Sequence, residues 1–224
     1  MKSILSIAAA ALMLSATSTA FAADGQAQCD KEQCCASKLA KADGGCCVTS
    51  AMAELPQLAF KVGDKELCCE ASAGAVAKET DSPVQYLVAK KAYEDKNKAM
   101  VALADATEKF VAEFASPSTC NVSGKTTVAG TTTTCSVTAG KLASITKAAM
   151  NDVTLAYKVG DEQCSCPTQA ASLAKSSGKD KQFVIGKEVT SCSVDARIKL
   201  ARAKYEAAVK ALAKAQAEEE APKS

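Results

Sequence analysis

Twelve cysteines and no histidine define the chemistry open to this 224-residue chain. The cysteines fall in short groups: "CDKEQCC" from Cys29, "GGCC" ending at Cys47, the doublet Cys68-Cys69, a bracketing pair at Cys120 and Cys135, "CSC" at Cys164 and Cys166, and Cys192. Thiols in this number can cross-link, hold a soft cation, or exchange electrons as dithiols. The absence of imidazole excludes the mixed Cys/His zinc patterns and the Ser-His-Asp triad. No CxxC spacing occurs, so neither the thioredoxin-like redox pattern nor a zinc ribbon is present. "GKTT" at Gly124 lacks the upstream glycine and apolar strand of a phosphate loop. "NVS" at Asn121 is a glycosylation sequon only in a secretory pathway that holds the machinery. No catalytic residue is assigned, and the chain is not read as an enzyme.

Which of the three chemistries applies depends on compartment. Lys2 followed by "ILSIAAAALML" and by small residues at Ala20 and Ala22 reads as a bacterial-type signal peptide over 1–22. The apolar run falls short of the ~20 residues that span a bilayer. No lipobox precedes Cys29, and no later stretch is long and apolar enough to cross a membrane. The mature protein is therefore expected to be exported, periplasmic or secreted, where an even cysteine count defaults to disulfides. Aromatic residues make up 4% of the chain and Trp is absent, so the core must be built from Ala, Val and Leu. Thin cores of this kind are commonly stapled. A net charge of +2 with interspersed signs argues against nucleic acid as a partner.

The elements that position the cysteines come from an internal repeat. "FKVGDKELCCEASAGAVAK" from Phe60 returns as "YKVGDEQCSCPTQAASLAK" from Tyr157, an offset of 97 residues. The same offset carries Gly63 onto Gly160, Cys69 onto Cys166 and Leu103 onto Leu200 without a gap. Each copy divides again into two strand–turn–strand–helix units, with Gly63-Asp64, Ala89-Lys90, Gly160-Asp161 and Gly186-Lys187 at the turns. Ala89-Lys90 is the poorest of these turns, because neither residue favours positive φ. Long helices are predicted over 96–114, with Ala99, Leu103, Phe110 and Phe114 on the apolar stripe and Met100 and Val111 flanking it, and from Asp195, with Ile198, Ala201, Tyr205, Ala208 and Leu212. The fold class is α+β: tandem ββα units, internally duplicated and disulfide-stapled. The expected organisation is a cysteine-rich segment over 23–55, copy one over 56–116, an intervening ββα-like unit over 117–152, copy two over 153–217 and a disordered tail over 218–224. The Thr-rich hairpin of the intervening unit is placed at a sheet edge.

The repeat sorts the thiols. Cys69 and Cys166 are shared by both copies and open helices, where backbone N–H groups and the helix dipole favour a thiolate. They are read as half-cystines or as soft-metal ligands. Cys164 aligns with Leu67 and Cys192 with Asp95, so both belong to copy two alone, and a Cys164–Cys192 disulfide is predicted. Cys120–Cys135 is predicted to close the intervening unit, contributing about 3 kcal/mol through the unfolded state. Cys68 has no counterpart in copy two and looks to the N-terminal segment for a partner. The alternative is a Cu(I)-like ion held by Cys164, Cys166 and Cys192.

A strand, turn, strand and a helix-opening cysteine, as in "FKVGDKELCC", resembles the YHS/TRASH metal-handling modules, over one short unit at a time. That pattern implies cysteines four apart before the helix with an upstream partner. Neither Cys69 nor Cys166 has a cysteine four residues later, so the ligand set does not carry over. The sequence thus reads as a binding or structural module of the cell envelope with an unidentified protein or envelope partner and no cofactor. Soft-metal binding is the first alternative and thiol–disulfide redox chemistry the second.

Overall fold

The computed structural model describes residues 45–220, and the fold is mixed α+β. The signal segment, Cys29, Cys34, Cys35 and residues 221–224 lie outside the described residues. After helix α1 (Gly45–Met52) one small unit recurs five times, a hairpin followed by a helix. The first unit is β1 (Leu58–Val62), β2 (Lys65–Leu67) and α2 (Glu70–Thr80), and the second is β3 (Val84–Val88), β4 (Lys91–Tyr93) and α3 (Lys96–Phe114). In the third, a short leading strand β5 (Ser118–Thr119) precedes β6 (Thr126–Val128), β7 (Thr131–Thr133) and α4 (Ser136–Asn151). The fourth is β8 (Leu155–Val159), β9 (Glu162–Cys164) and α5 (Pro167–Ser177), and the fifth is β10 (Lys181–Ile185), β11 (Glu188–Thr190) and α6 (Ser193–Glu220).

The hairpins form because the residue before each turn is a buried Val or Ile and the turn itself reverses the chain tightly. Val62, Val88, Val128, Val159 and Ile185 are all buried. Gly63, Gly160 and Gly186 take φ of 58°, 61° and 58°, while the residues after them stay at negative φ, the type II′ pattern. Ala89-Lys90 turns as well, with φ of 48° and 69°, and so does Ala129-Gly130, with 50° and 73°. Left-handed backbone costs an L-residue about 1–2 kcal/mol. Burial of Val88 and pairing of β3 on both its edges offset that cost at Ala89-Lys90.

Units pair into sheets through their first strands. The order is β2-β1-β3-β4 in one sheet and β9-β8-β10-β11 in the other. The central registers match position for position: Phe60 faces Tyr86, and Tyr157 faces Phe183. Both pairs bring aromatic rings within 6 Å across the strands, at 5.8 and 5.7 Å between centroids. The third unit does not extend either sheet, as an edge hairpin would. It forms its own three-stranded sheet, β5-β6-β7, laced by Thr119–Thr126 and Thr127–Thr132 hydroxyl contacts of 2.9 Å.

The two long helices join these parts. α6 packs against α1, α3 and α4. Its predicted stripe of Ile198, Ala201, Tyr205, Ala208 and Leu212 is buried throughout. On α3 the buried face is Ala99, Leu103, Ala104, Thr107 and Val111, and Phe110 and Phe114 pack at its margin. Thr107 is fully buried because its hydroxyl donates to the Leu103 carbonyl at 2.7 Å, leaving its methyl to the core. α6 continues to Glu220, into the segment expected to be a tail. That stretch is rich in Ala, Lys and Glu, strong helix formers, with Lys210–Glu206 and Lys214–Glu218 ion pairs one turn apart. Among the described residues no helix is long and apolar enough to cross a membrane.

Asp95 opens α3 by accepting the Lys98 N–H at 2.8 Å. Asp95→Ala is expected to lower stability by about 1 kcal/mol and Asp95→Asn to leave it nearly unchanged, read from denaturant midpoints. Equal midpoints for the alanine variant and the wild type would show that the cap contributes nothing.

Candidate functional site

The first turn of every unit's helix is built the same way. The carbonyl of the residue before the helix accepts the N–H of an alanine four residues on, and at Cys69, Asp95, Cys135 and Cys166 that residue is extended. The pairs are Cys69–Ala73, Asp95–Ala99, Cys135–Ala139, Cys166–Ala170 and Cys192–Ala196, at 2.9–3.1 Å. Four of these five cap positions are cysteine and the fifth is aspartate. All five alanines are buried, which seats each helix start on its sheet and turns the cap side chain toward the rim. Cys135, Cys166 and Cys192 are exposed, and Cys69 is half-buried.

This grouping differs from the one drawn from the sequence. Cys135 and Cys192 are the counterparts of Cys69 and Cys166, and Cys192 is specific to one copy only because Asp95 fills its place in the other. The missed signal is a constant spacing. Each cap lies six residues after the first turn residue: Gly63 to Cys69, Ala89 to Asp95, Ala129 to Cys135, Gly160 to Cys166 and Gly186 to Cys192.

The cap environment favours negative charge. The Cys135 thiol is held below its ordinary pKa, first by the Thr138 hydroxyl and then by the backbone N–H groups of Thr138 and Val137. Cys166 is lowered by the backbone N–H groups of Gln169 and Thr168. Neither sulfur closes a cap hydrogen bond of good geometry, so the donors act on them as aligned dipoles. Cys69 does accept from Ser72, at 3.5 Å from both its backbone N–H and its hydroxyl. Cys120, in the turn after β5, is lowered by the Ser123 hydroxyl and by the N–H groups of Ser123 and Val122.

The topology separates residues that the sequence brought together. β9 and β11 are opposite edges of one sheet, with β8 and β10 between them. Cys164, Tyr157, Phe183 and Thr190 form one row across that sheet, and Cys192 follows two residues beyond Thr190. Three strand spacings amount to about 14 Å, and a disulfide needs Cα atoms within about 7 Å. Cys164 and Cys192 thus belong to opposite edges of the sheet, and among the described residues neither the predicted Cys164–Cys192 bond nor the predicted site of Cys164, Cys166 and Cys192 is formed. Cys120 and Cys135 leave the same end of the third sheet from its two outer strands, with β6 between them. Two spacings, about 10 Å, separate the strand ends Thr119 and Thr133, and the predicted Cys120–Cys135 bond is not formed in the structure. Cys120, Cys135, Cys164, Cys166 and Cys192 all stand as thiols in the structure. Among the described residues no three or more ligating side chains converge as a metal site would require.

One predicted pair does share a place. Cys164 is half-buried at the end of β9, and its thiol points to the Cys166 carbonyl at 3.7 Å, so both cysteines occupy one corner of the sheet. Cys68 and Cys69 occupy the corresponding corner of the other sheet, after β2.

The fold and the site together define a class: a mixed α+β protein of paired hairpin–helix units that presents cysteines at its helix starts. No protein-family model, no curated protein and no solved structure matches the chain.

Proposed function

We propose that this protein is an exported, bacterial-type binding module of the cell envelope, built from units multiplied by internal duplication. Its helix-capping cysteines are the points at which it is tied to a partner. The observation that carries this reading is the recurrence of cysteine at four of five equivalent helix starts, at the rim of each unit. A core cysteine would be buried and scattered in position; these recur at one place, and at Cys135 and Cys166 the thiol is exposed and its thiolate favoured. Because strands intervene between the capping cysteine and the far edge of each sheet, the disulfides of the oxidised protein run outward. Their partners are the N-terminal segment, which holds Cys29, Cys34, Cys35, Cys46 and Cys47, or an envelope protein. No cofactor is needed for this role.

The test is a free-thiol count beside metal analysis on protein purified from its export compartment. The expected result is no titratable thiol and no stoichiometric metal before reduction. After reduction, Cys135 and Cys166 should alkylate faster near neutral pH than the same cysteines in an unfolded chain. Their folded pKa values lie below the unfolded value of about 8.5, so the associated stabilisation is present above that value and fades as pH falls through the folded ones. Slow labelling at both positions in the reduced protein would sink the thiolate reading.

A second reading rests on the Cys164–Cys166 corner. Two thiolates on one face can hold a Cu(I)-like ion in two-coordinate geometry. It predicts one such ion per reduced chain, lost in Cys166→Ser. Turnover of a small dithiol substrate would instead favour the redox reading.

A further inference from the structure

Away from the cysteines, α3 and α4 flank α6 and leave an open groove of about 340 Å³ between them. Its floor is apolar: Val111 from α3, Met150 from α4, and Leu200 and Ala201 from α6. Three of these four, Val111, Met150 and Ala201, belong to the main core cluster, so the floor is rigid. The lining also holds four charged side chains. Arg197 is spent on its neighbours, donating from Nε and Nη2 to Glu108 at 2.9 and 2.6 Å and from Nη2 to Asp105 at 2.6 Å. One guanidinium shared by two carboxylates leaves that network with a net charge of −1. Lys147 and Lys204 remain, and among the described residues neither forms an ion pair. The groove therefore presents an apolar trough with two unpaired lysines and a net positive lining.

We propose that this groove binds a small amphiphilic anion: a carboxylate with a medium-length apolar tail, tail along Met150 and Leu200, head at Lys147 and Lys204. The volume falls in the range of small-ligand sites, which pair apolar walls with a few placed polar groups. The charge pattern selects the sign of the ligand. A cationic amphiphile would meet Lys147 and Lys204 and two carboxylates already engaged by Arg197.

Isothermal calorimetry with decanoate, kept below its micelle concentration, tests this on the full exported chain. One decanoate should bind per chain, decyltrimethylammonium at least about tenfold more weakly, and acetate not measurably. The double variant Lys147→Glu/Lys204→Glu should weaken decanoate at least about tenfold. Ala112→Trp, at an exposed lining position, should block the groove without changing the melting temperature. Should the double variant fail to fold, Ala112→Trp decides the matter. Equal affinity for the two amphiphiles, undiminished binding in a folded variant, or no decanoate binding at millimolar concentration overturns the proposal.

Discussion

Tyr205→Ala is expected to lower stability by about 3–5 kcal/mol, the range for deleting a large, fully buried aromatic ring. Tyr205 is 1% exposed and sits where the long helices meet α1 and the segment after it. Its ring receives Phe110 and Phe114 edge-on, at centroid distances of 5.5 and 4.8 Å. Leu55, Val111, Met150 and Ala208 close the cavity around it, so removal of the ring leaves a void bounded by α1, α3, α4 and α6 together. The hydroxyl donates to Glu54 Oε2 at a long 3.4 Å, so Tyr205→Phe should cost only about 0.5–1.5 kcal/mol.

The same residue sets an alkaline limit. Burial, and then the Glu54 carboxylate, push the phenol up to about 12. An unfolded tyrosine loses its proton near 10, so above that pH the unfolded chain binds fewer protons than the folded one. Stability should be level below about 10 and fall between about 10 and 12, by an amount on the order of 2 kcal/mol. Tyr205→Phe should remove that decline. Chemical denaturation of both proteins across this window measures it, and identical pH profiles would contradict the assignment.

The second large effect tests whether the five units share one packing rule. Ala73, Ala99, Ala139, Ala170 and Ala196 occupy the same place, the first turn of a helix lying against its hairpin. Replacing any one by Leu inserts methylenes into a filled contact, which costs about 1–3 kcal/mol. Ala73, Ala99 and Ala170 are 0% exposed and should sit at the top of that range, while Ala139, at 5%, should sit lowest. The order, read from denaturant midpoints at constant slope, is the informative result. A leucine at Ala99 that left the midpoint unmoved would break the rule for the second unit.

Why so much of the architecture is legible in the sequence follows from where its signals lie. Gly63, Gly160 and Gly186 mark turns because positive φ suits glycine, and a Val or Ile before each marks the strand end facing the core. Ile198, Ala201, Tyr205, Ala208 and Leu212 mark a helix face because one stripe must meet the core every three to four residues. Ala89-Lys90 and Thr107 are harder. A turn of two L-residues and a buried hydroxyl both contradict local preference, and each persists because its surroundings compensate: paired strands in the first case, the Leu103 carbonyl in the second.

The sequence by itself therefore determined the local elements and the hairpin–helix order. These depend on neighbours within a few residues, whose spacing the chain writes directly. Only the tertiary structure decided which thiols can meet. Strand order is a long-range choice, in which β1 joins β3 and β8 joins β10, and it places Cys164 and Cys192 on opposite edges although alignment made them partners. It also splayed α3 and α4 around α6, opening a groove whose lining residues come from three segments far apart in the chain. No local pattern encodes such a meeting, because the energy that fixes it is burial shared among elements that become neighbours only after folding.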